Sequence, residues 1–397
     1  MVILTTTLAD VCESVRYGYT ASASDDPRGP RFLRITDIVP DSIDWDSVPY
    51  CQIDDGEKEK FSLSVDDIVV ARTGATVGYA KLIREPVDAV FASYLVRFRV
   101  DRAKADPAFV GRLVESRVYR MFVQSRIGGA AQPNASAPVL GSFEFSLPSP
   151  RDQSRIASIL STYDDLIENN RRRMALLEES ARLLYREWFV RLRFPGHEHT
   201  RIIDGVPEKW EKRNLGSVAE VNRQSLTAAH DGEIEYVDIS SVTPNHINET
   251  TTYNFRDAPS RARRIAQHGD IIWSCVRPNR RSHAVIWQLP SNLIVSTGFA
   301  VITPTELPTS YLYQATTTDA FVGYLENHAR GAAYPAVVAG DFERAMIVVP
   351  PKMLVASFDE LVKPLLTQTH NLQQQNQKLR AARDLLLPRL MSGEIAV

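Results

Sequence analysis

The chain has 397 residues, 44% hydrophobic and 24% charged, with a formal net charge of −2. That is the size of two or three domains and the composition of ordinary globular protein, which excludes a disordered or collagen-like chain. No apolar run approaches the ~18–20 residues that cross a bilayer, and "MVILTTTLAD" has neither a basic n-region nor a long h-region, so no secretory signal is expected.

Cys12, Cys51 and Cys275 form no CxxC pair, so neither a zinc site nor a disulfide framework is expected, and the expected compartment is the cytoplasm. Of the 46 basic residues, 37 are arginine and 9 lysine. The planar arginine fork suits bidentate contact with guanine edges and phosphates; codon bias produces the same imbalance.

In chain order, the first stretch alternates apolar and polar residues in short runs such as "FLRITDI" and "DIVVARTGATVG", separated by Gly, Pro, Asp and Asn. That pattern predicts strands and turns. Helix is expected at "PAFVGRLVESRVYRMFVQS", and a loop at "GGAAQPNAS". A long helix follows, with apolar residues at Ile156, Ile159/Leu160, Tyr163, Leu166/Ile167, Met174, Leu177, Ala181, Leu184 and Trp188, and with Asn170 filling one step. Steps of three and four averaging 3.5 make a coiled-coil seam. Pro195-Gly196 stops it, and His197-Glu198-His199 reads as a turn, with no third ligand cluster beside it.

The remainder repeats the first part. Gly129-Ala130-Ala131-Gln132-Pro133 and Phe145-Ser146-Leu147-Pro148 have counterparts 202 residues later in Gly331-Ala332-Ala333-Tyr334-Pro335 and Ile347-Val348-Val349-Pro350. "FLRITDI", "DIVVARTGATVG" and "FASYLVRF" pair with "YVDISSV", "DIIWSCVRPNRR" and "VSTGFAVI". Helix is expected again at "SYLYQATTTDAFVGYLENH". A second seam runs through Phe358, Leu361, Leu365, Leu372, Leu379, Arg383, Leu386 and Leu390, with Pro364 expected to kink or break it. The chain is a tandem duplication of a unit of about 200 residues. Leu390-Met391 takes the place of Trp188-Phe189, so the apolar tail is expected to be a packed helix end. Each long helix would expose its apolar stripe unless it paired with the other or with another subunit.

Catalytic signatures are missing. "ARTGATVG" matches neither a P-loop nor G-x-G-x-x-G. None of the nine lysines has an acidic residue two positions before it, there is no Asn/Asp-Pro-Pro-aromatic motif for a flipped base, and no Ser-His-Asp signature stands out. Together these favour a binding or scaffolding protein.

The densest basic stretch is "RDAPSRARRIAQHGDIIWSCVRPNRRSH". Its Arg263, Arg264, Arg277, Asn279, Arg280 and Arg281 are candidate DNA contacts, because strand-end loops carry recognition residues and Arg and Asn read base edges. Generic phosphate contact is the alternative. The corresponding place in the first unit offers Arg72, Thr73, Thr76 and Tyr79, with Gly74 and Gly78 allowing close backbone approach or serving a plain turn. Second candidate loops contribute Gln132, Asn134 and Tyr334. Gln and Asn can pair with adenine N6 and N7, or simply make turns.

Two halves built this way, with "LPSPRDQSRIASIL", "LLYREWFVRLRFPG", "DGVPEKWEKRNLGSV" and "LLLPRLMSGEI" at their junctions, resemble the specificity subunit of a type I restriction–modification system. The resemblance covers essentially the whole chain. One departure is that "VPPKMLVASFDEL" lacks the acidic-Gln pair present as Asp152-Gln153.

The resemblance implies an α+β fold: two mixed α/β target-recognition domains in tandem, each followed by a long helix, the helices pairing as an antiparallel coiled coil. The expected boundaries are 1–149 and 210–349 for the recognition domains, 150–196 and 350–397 for the helical spacer regions, and 197–209 for a linker. It implies a non-catalytic subunit that binds double-stranded DNA and two modification (methyltransferase) subunits, joined by restriction (translocase/nuclease) subunits. No cofactor is expected on this chain; S-adenosylmethionine, ATP and Mg2+ are expected on the partners only. A nuclease or methyltransferase with unrecognised motifs, and a coiled-coil scaffold without a DNA role, stand as alternatives.

Overall fold

The computed structural model describes residues 4–40, 42–127, 133–203, 205–288, 290–391 and 394–395. In the first domain, the apolar run Asp67–Ala71 forms a strand buried at every position. It is central in an antiparallel sheet ordered Cys12–Tyr17, Leu95–Val100, Asp67–Ala71, Ala80–Leu82. The helices Pro107–Glu115 and Arg117–Arg126 cover it, bringing Phe109, Val110, Val114, Tyr119 and Val123 into one core with Ile68, Val70 and Phe98. The first of these helices starts sharply, because the Asp106 carboxylate accepts from the N–H groups of Ala108 and Phe109 and Pro107 sits in its first turn. A parallel pair, Arg31–Leu33 with Ala89–Phe91, builds a second core. Leu4–Thr7 pairs antiparallel with Glu144–Leu147, at the entry to the long helix.

The second domain repeats this plan. Its antiparallel sheet runs Ala219–Val221, Phe299–Pro304, Ile271–Ser274, His283–Val285. Its parallel pair is Glu233–Val237 with Leu293–Ser296, its closing pair Glu211–Asn214 with Met346–Val349, and its helices Thr309–Thr316 and Asp319–His328. The tandem duplication is therefore structural. One difference is that Thr251–Asn254 and Ala262–Ile265 extend the second domain's parallel pair to four strands, where the first domain has the short helices Ile35–Ile38 and Asp55–Phe61.

The long helices are Pro150–Tyr185, continued by a π-helical turn Arg186–Val190, and Lys352–Met391. Neither Pro364 nor Pro388 ends the second helix, so of the kink or break expected at Pro364 the break does not occur. Pro364 lies on the exposed side, between Lys363 and the half-buried Leu365. The carbonyl that loses its bond one turn earlier faces water there, and the packing of Val355, Phe358 and Val362 on the inner side continues past it. The seam also differs in detail. Leu361 is 52% exposed and Val362 takes its place; of the expected pairs Ile159/Leu160 and Leu166/Ile167, Leu160 and Ile167 face inward.

The chain divides into two compact units that do not follow chain order: Met1–Glu168 with Asn376–Val397, and Asn169–Gln375. Each long helix thus contributes to both. In the first unit the helices are antiparallel. Arg383 donates to Asp164 Oδ1 at 2.6 Å, and Asn376 Nδ2 donates to the Ile167 carbonyl at 3.3 Å, so an advance along one helix is a retreat along the other. Leu390 is buried in the first domain's core with Ile156, Ala157 and Leu160, and Ile395 packs on the same cluster, so the end of the second long helix is packed. In the second unit the rings of Tyr185, Trp188, Phe189 and Tyr311 surround Phe358, with centroids 5.0–6.2 Å away.

The two domain–helix junctions use different chemistry. Gln153, fully buried, donates to the Pro148 carbonyl at 2.9 Å and accepts from the Asp106 N–H at 2.8 Å. At the second junction Val355 is buried instead, and Ser310 bonds Asp359 at 2.6 Å.

Candidate nucleic-acid interface

Each domain brings its two candidate loops together at the end of its antiparallel sheet. In the first, the chain turns back between Asp67–Ala71 and Ala80–Leu82, with Gly78 N–H on the Ala71 carbonyl at 2.9 Å and Tyr79 N–H on the Thr76 carbonyl at 3.0 Å. Gly74 and Gly78 have positive φ. A Cβ on Gly78 would meet Val123 at 3.1 Å, so this glycine serves the turn and the packing beneath it. Thr73 bridges Asn134, Gly74 N–H donates to the Pro133 carbonyl at 3.0 Å, and Ala135 N–H donates to the Arg72 carbonyl at 2.8 Å.

On this base the Arg72 guanidinium lies 4.7 Å over the Tyr17 ring and donates from Nη2 to Asn134 Oδ1 at 3.2 Å. The Tyr17 hydroxyl accepts from the Ala137 N–H at 2.9 Å. Tyr79 turns elsewhere, under Arg120 at 4.2 Å. Gln132 lies outside the described residues.

The second domain has the equivalent bridge, Val276 with Ala336, 203 and 202 residues after Thr73 and Asn134. Arg277 N–H donates to the Pro335 carbonyl at 2.7 Å and its Nη2 to the Ala333 carbonyl at 3.1 Å, while its guanidinium sits 4.7 Å over the Tyr334 ring. Tyr334 is 70% exposed. Arg277 and Arg281 flank the single 3-10 turn Pro278–Arg280 in left-handed conformation, with φ of 51° and 53°. Such backbone is uncommon without glycine and accompanies functional loops.

Asn279 and Arg280 are exposed, and Arg281 is paired with Asp319. Arg264 lies near the Cys275 thiol, whose pKa burial raises to about 11 while the Arg264 charge opposes the rise. Arg263 instead covers Phe255 at 4.6 Å, over the parallel-pair sheet. Of the predicted positions, Arg72, Thr73 and Asn134 therefore converge in one domain and Arg277 and Tyr334 in the other, while Tyr79 and Arg263 are engaged apart from them.

Sequence reasoning missed Tyr17, which no local pattern marks because its contacts lie 55 and 120 residues away. It also missed a polar chain leading from the first long helix to the basic loop. Glu178 accepts from Asn245 Nδ2 at 2.9 Å, Tyr313 donates to Asn245 Oδ1 at 2.7 Å, and His283 Nδ1 stands 3.1 Å from the Tyr313 hydroxyl. Burial raises the Glu178 pKa to about 7 against the pull of Asn245 and Arg182. His283 is pushed down to about 3 by burial, and then by the charges of Arg281 and His246. Among the described residues no group of three or more His, Cys, Asp or Glu could hold a metal ion, and no helix is long and apolar enough to cross a membrane.

Residues 5–179 match the model of the type I restriction modification DNA specificity domain. The chain is similar to the type I restriction enzyme MjaIX specificity subunit of Methanocaldococcus jannaschii, with 23% identity over 83% of this chain and 78% of that protein. It is also similar to the HindI specificity subunit of Haemophilus influenzae, with 21% identity over 70% and 74%. The crystal structure of a type I restriction–modification S subunit from M. genitalium shares the fold, with a TM-score of 0.55 and 15% identity over 98% of this chain and 96% of that one. Specificity subunits are the non-catalytic components of such systems. The chain thus carries a match to the type I DNA specificity domain over residues 5–179 and is similar along most of its length to specificity subunits of type I restriction–modification systems.

Proposed function

We propose that the chain selects the DNA sequence on which a type I complex acts, each recognition domain reading one half of a bipartite site. The observation that carries this reading is the doubled loop junction: two bridges at matching repeat positions, each with an arginine held over a tyrosine ring. Arginine and asparagine at strand ends are suited to base edges, and Thr73, Thr76, Asn279, Arg280 and Arg281 flank them with groups for base or phosphate contact. Residues 1–149 and 210–349 act as reading domains, 150–196 and 350–397 as the helical spacer, and 197–209 as the linker.

The helices set the half-site separation, about one duplex turn or roughly 10 base pairs for heads on one face. With their flanks they dock two modification subunits, which carry S-adenosylmethionine and methylate adenine, and restriction subunits join with ATP and Mg2+. The subunit works in the cytoplasm, where the host DNA lies. Mapping methylated adenines made by the reconstituted complex tests the reading: it should return one split, asymmetric motif with a constant gap. A heptad inserted into the first long helix adds ~10 Å and should change that gap. Methylation without sequence preference, or by this chain alone, would refute the proposal.

A further inference from the structure

Resting on that reading, we infer that Arg72 and Asn134 read a single guanine together as a preset group of donors, with Tyr17 as the positioning residue. An isolated asparagine is an adenine reader, because its amide offers one acceptor for N6 and one donor for N7. Here the acceptor is engaged. Arginine has only donors, so the Asn134 atom 3.2 Å from Arg72 Nη2 must be Oδ1. That oxygen keeps a second lone pair, but any further donor would share it with the Arg72 cation; the groups the Asn134 side chain offers unshared are its two N–H bonds, which find no acceptor among the described residues, and Asn134 is exposed.

Arg72 Nη1 likewise has no acceptor among the described residues, and Arg72 Nε is shut off from solvent without a hydrogen-bond partner. Tyr17 covers one face of the guanidinium at 4.7 Å and is itself pinned by Ala137 N–H on its hydroxyl. The side chain is thus ordered before DNA arrives, which lowers the cost of fixing it on binding.

A pair whose unshared groups are all donors favours a base edge with adjacent acceptors. In the major groove guanine shows N7 and O6. Adenine would set its N6 donor against another donor, cytosine shows a donor, and thymine has one acceptor beside a methyl group. Asn134, for which the sequence leaves adenine pairing or a plain turn open, is turned toward guanine by its neighbour.

The test uses the full chain in complex with its modification subunits, on DNA in which each guanine of the first domain's half-site is replaced in turn by 7-deazaguanine, which lacks the N7 acceptor. At one position the wild-type complex should bind about 10–100-fold more weakly, while inosine, which keeps N7 and O6, is tolerated. Arg72→Lys and Asn134→Ala should each erase that discrimination and leave the other half-site's preferences intact, which also shows that the variants fold. Tyr17→Leu should blunt it. The inference falls if wild type is indifferent to 7-deazaguanine throughout that half-site, if the half-site has no guanine, or if both variants weaken all sequences alike, as phosphate contacts would. Loss of preference in both half-sites of the wild-type complex would sink the proposed function as well.

Discussion

The two candidate loops hold an arginine over a ring in the same place, yet build it from different positions. Arg72 corresponds in the repeat to Cys275, and Arg277 to Gly74. The ring comes from Tyr17, before the sheet's central strand, in one domain, and from Tyr334, in the second loop, in the other. Only the backbone bridge coincides. A strand pattern and a bridge therefore define the frame, and loop side chains can change their source around it. That arrangement suits two domains that read unlike sequences on one scaffold.

Core packing offers the sharpest way to break the comparison. Trp273 is fully buried in the second domain where Val70 stands in the first. Trp273→Ala should cost ~3–5 kcal/mol and Val70→Ala about half of that, as read by chemical denaturation of the whole chain. Equal costs would mean that the two cores relax differently from what their volumes indicate.

The helix junctions come next. Asp164 receives Arg84, Arg112 and Arg383 in the first unit. Burial acts to raise its pKa, but the arginines outweigh it and hold the carboxyl below its usual range. Asp164→Ala should cost ~3–5 kcal/mol, because it leaves the buried Arg112 and its neighbour Arg84 to share Glu115 alone, and Arg383 with only the exposed Asp384. A depressed carboxylate pKa stabilises the fold above the unfolded value and is lost as pH falls through the folded one. The first unit should therefore weaken below about pH 4.

Glu178 has the opposite sign. Its pKa is raised from 4.5 to about 7 by burial, so the folded state binds a proton that the unfolded state has released, and stability declines as pH rises between those values. His246 Nε2 stands 3.4 Å from Glu178 Oε1, but burial and the Arg171 charge favour the neutral imidazole, so it does not cancel the effect. Glu178→Gln should flatten the decline and gain ~1–3 kcal/mol near pH 8. An unchanged pH profile would show that the carboxyl is already solvated in the native state.

At the loops, Arg277→Ala should relax specificity at one position of the second half-site by ~1–3 kcal/mol, measured by binding selection from randomised DNA. Uniform weakening across all sequences would mark Arg277 as a phosphate contact, and would separate it from Arg72 in role as well as in origin.

Much of the architecture was legible in the residues. Period-two runs gave the strands, a 3.5-residue step gave both long helices, and an offset of 202–204 paired the halves. Those signals are local or self-similar, so they survive without knowledge of contacts. The break that was one alternative at Pro364, and the inward placing of Leu361, failed for one reason: which helix face meets solvent depends on what packs opposite.

The sequence by itself determined the duplicated α+β plan, the helical seams and the loops rich in arginine, because hydrophobic periodicity and turn chemistry are written along the chain. Only the tertiary structure decided that Tyr17 meets Arg72, that Asn134 shares its acceptor with Arg72, and that Glu178 is joined to His283. Hydrogen bonds and ring contacts between residues some 30 to 120 positions apart depend on how the strands and helices pack, and no local pattern records that.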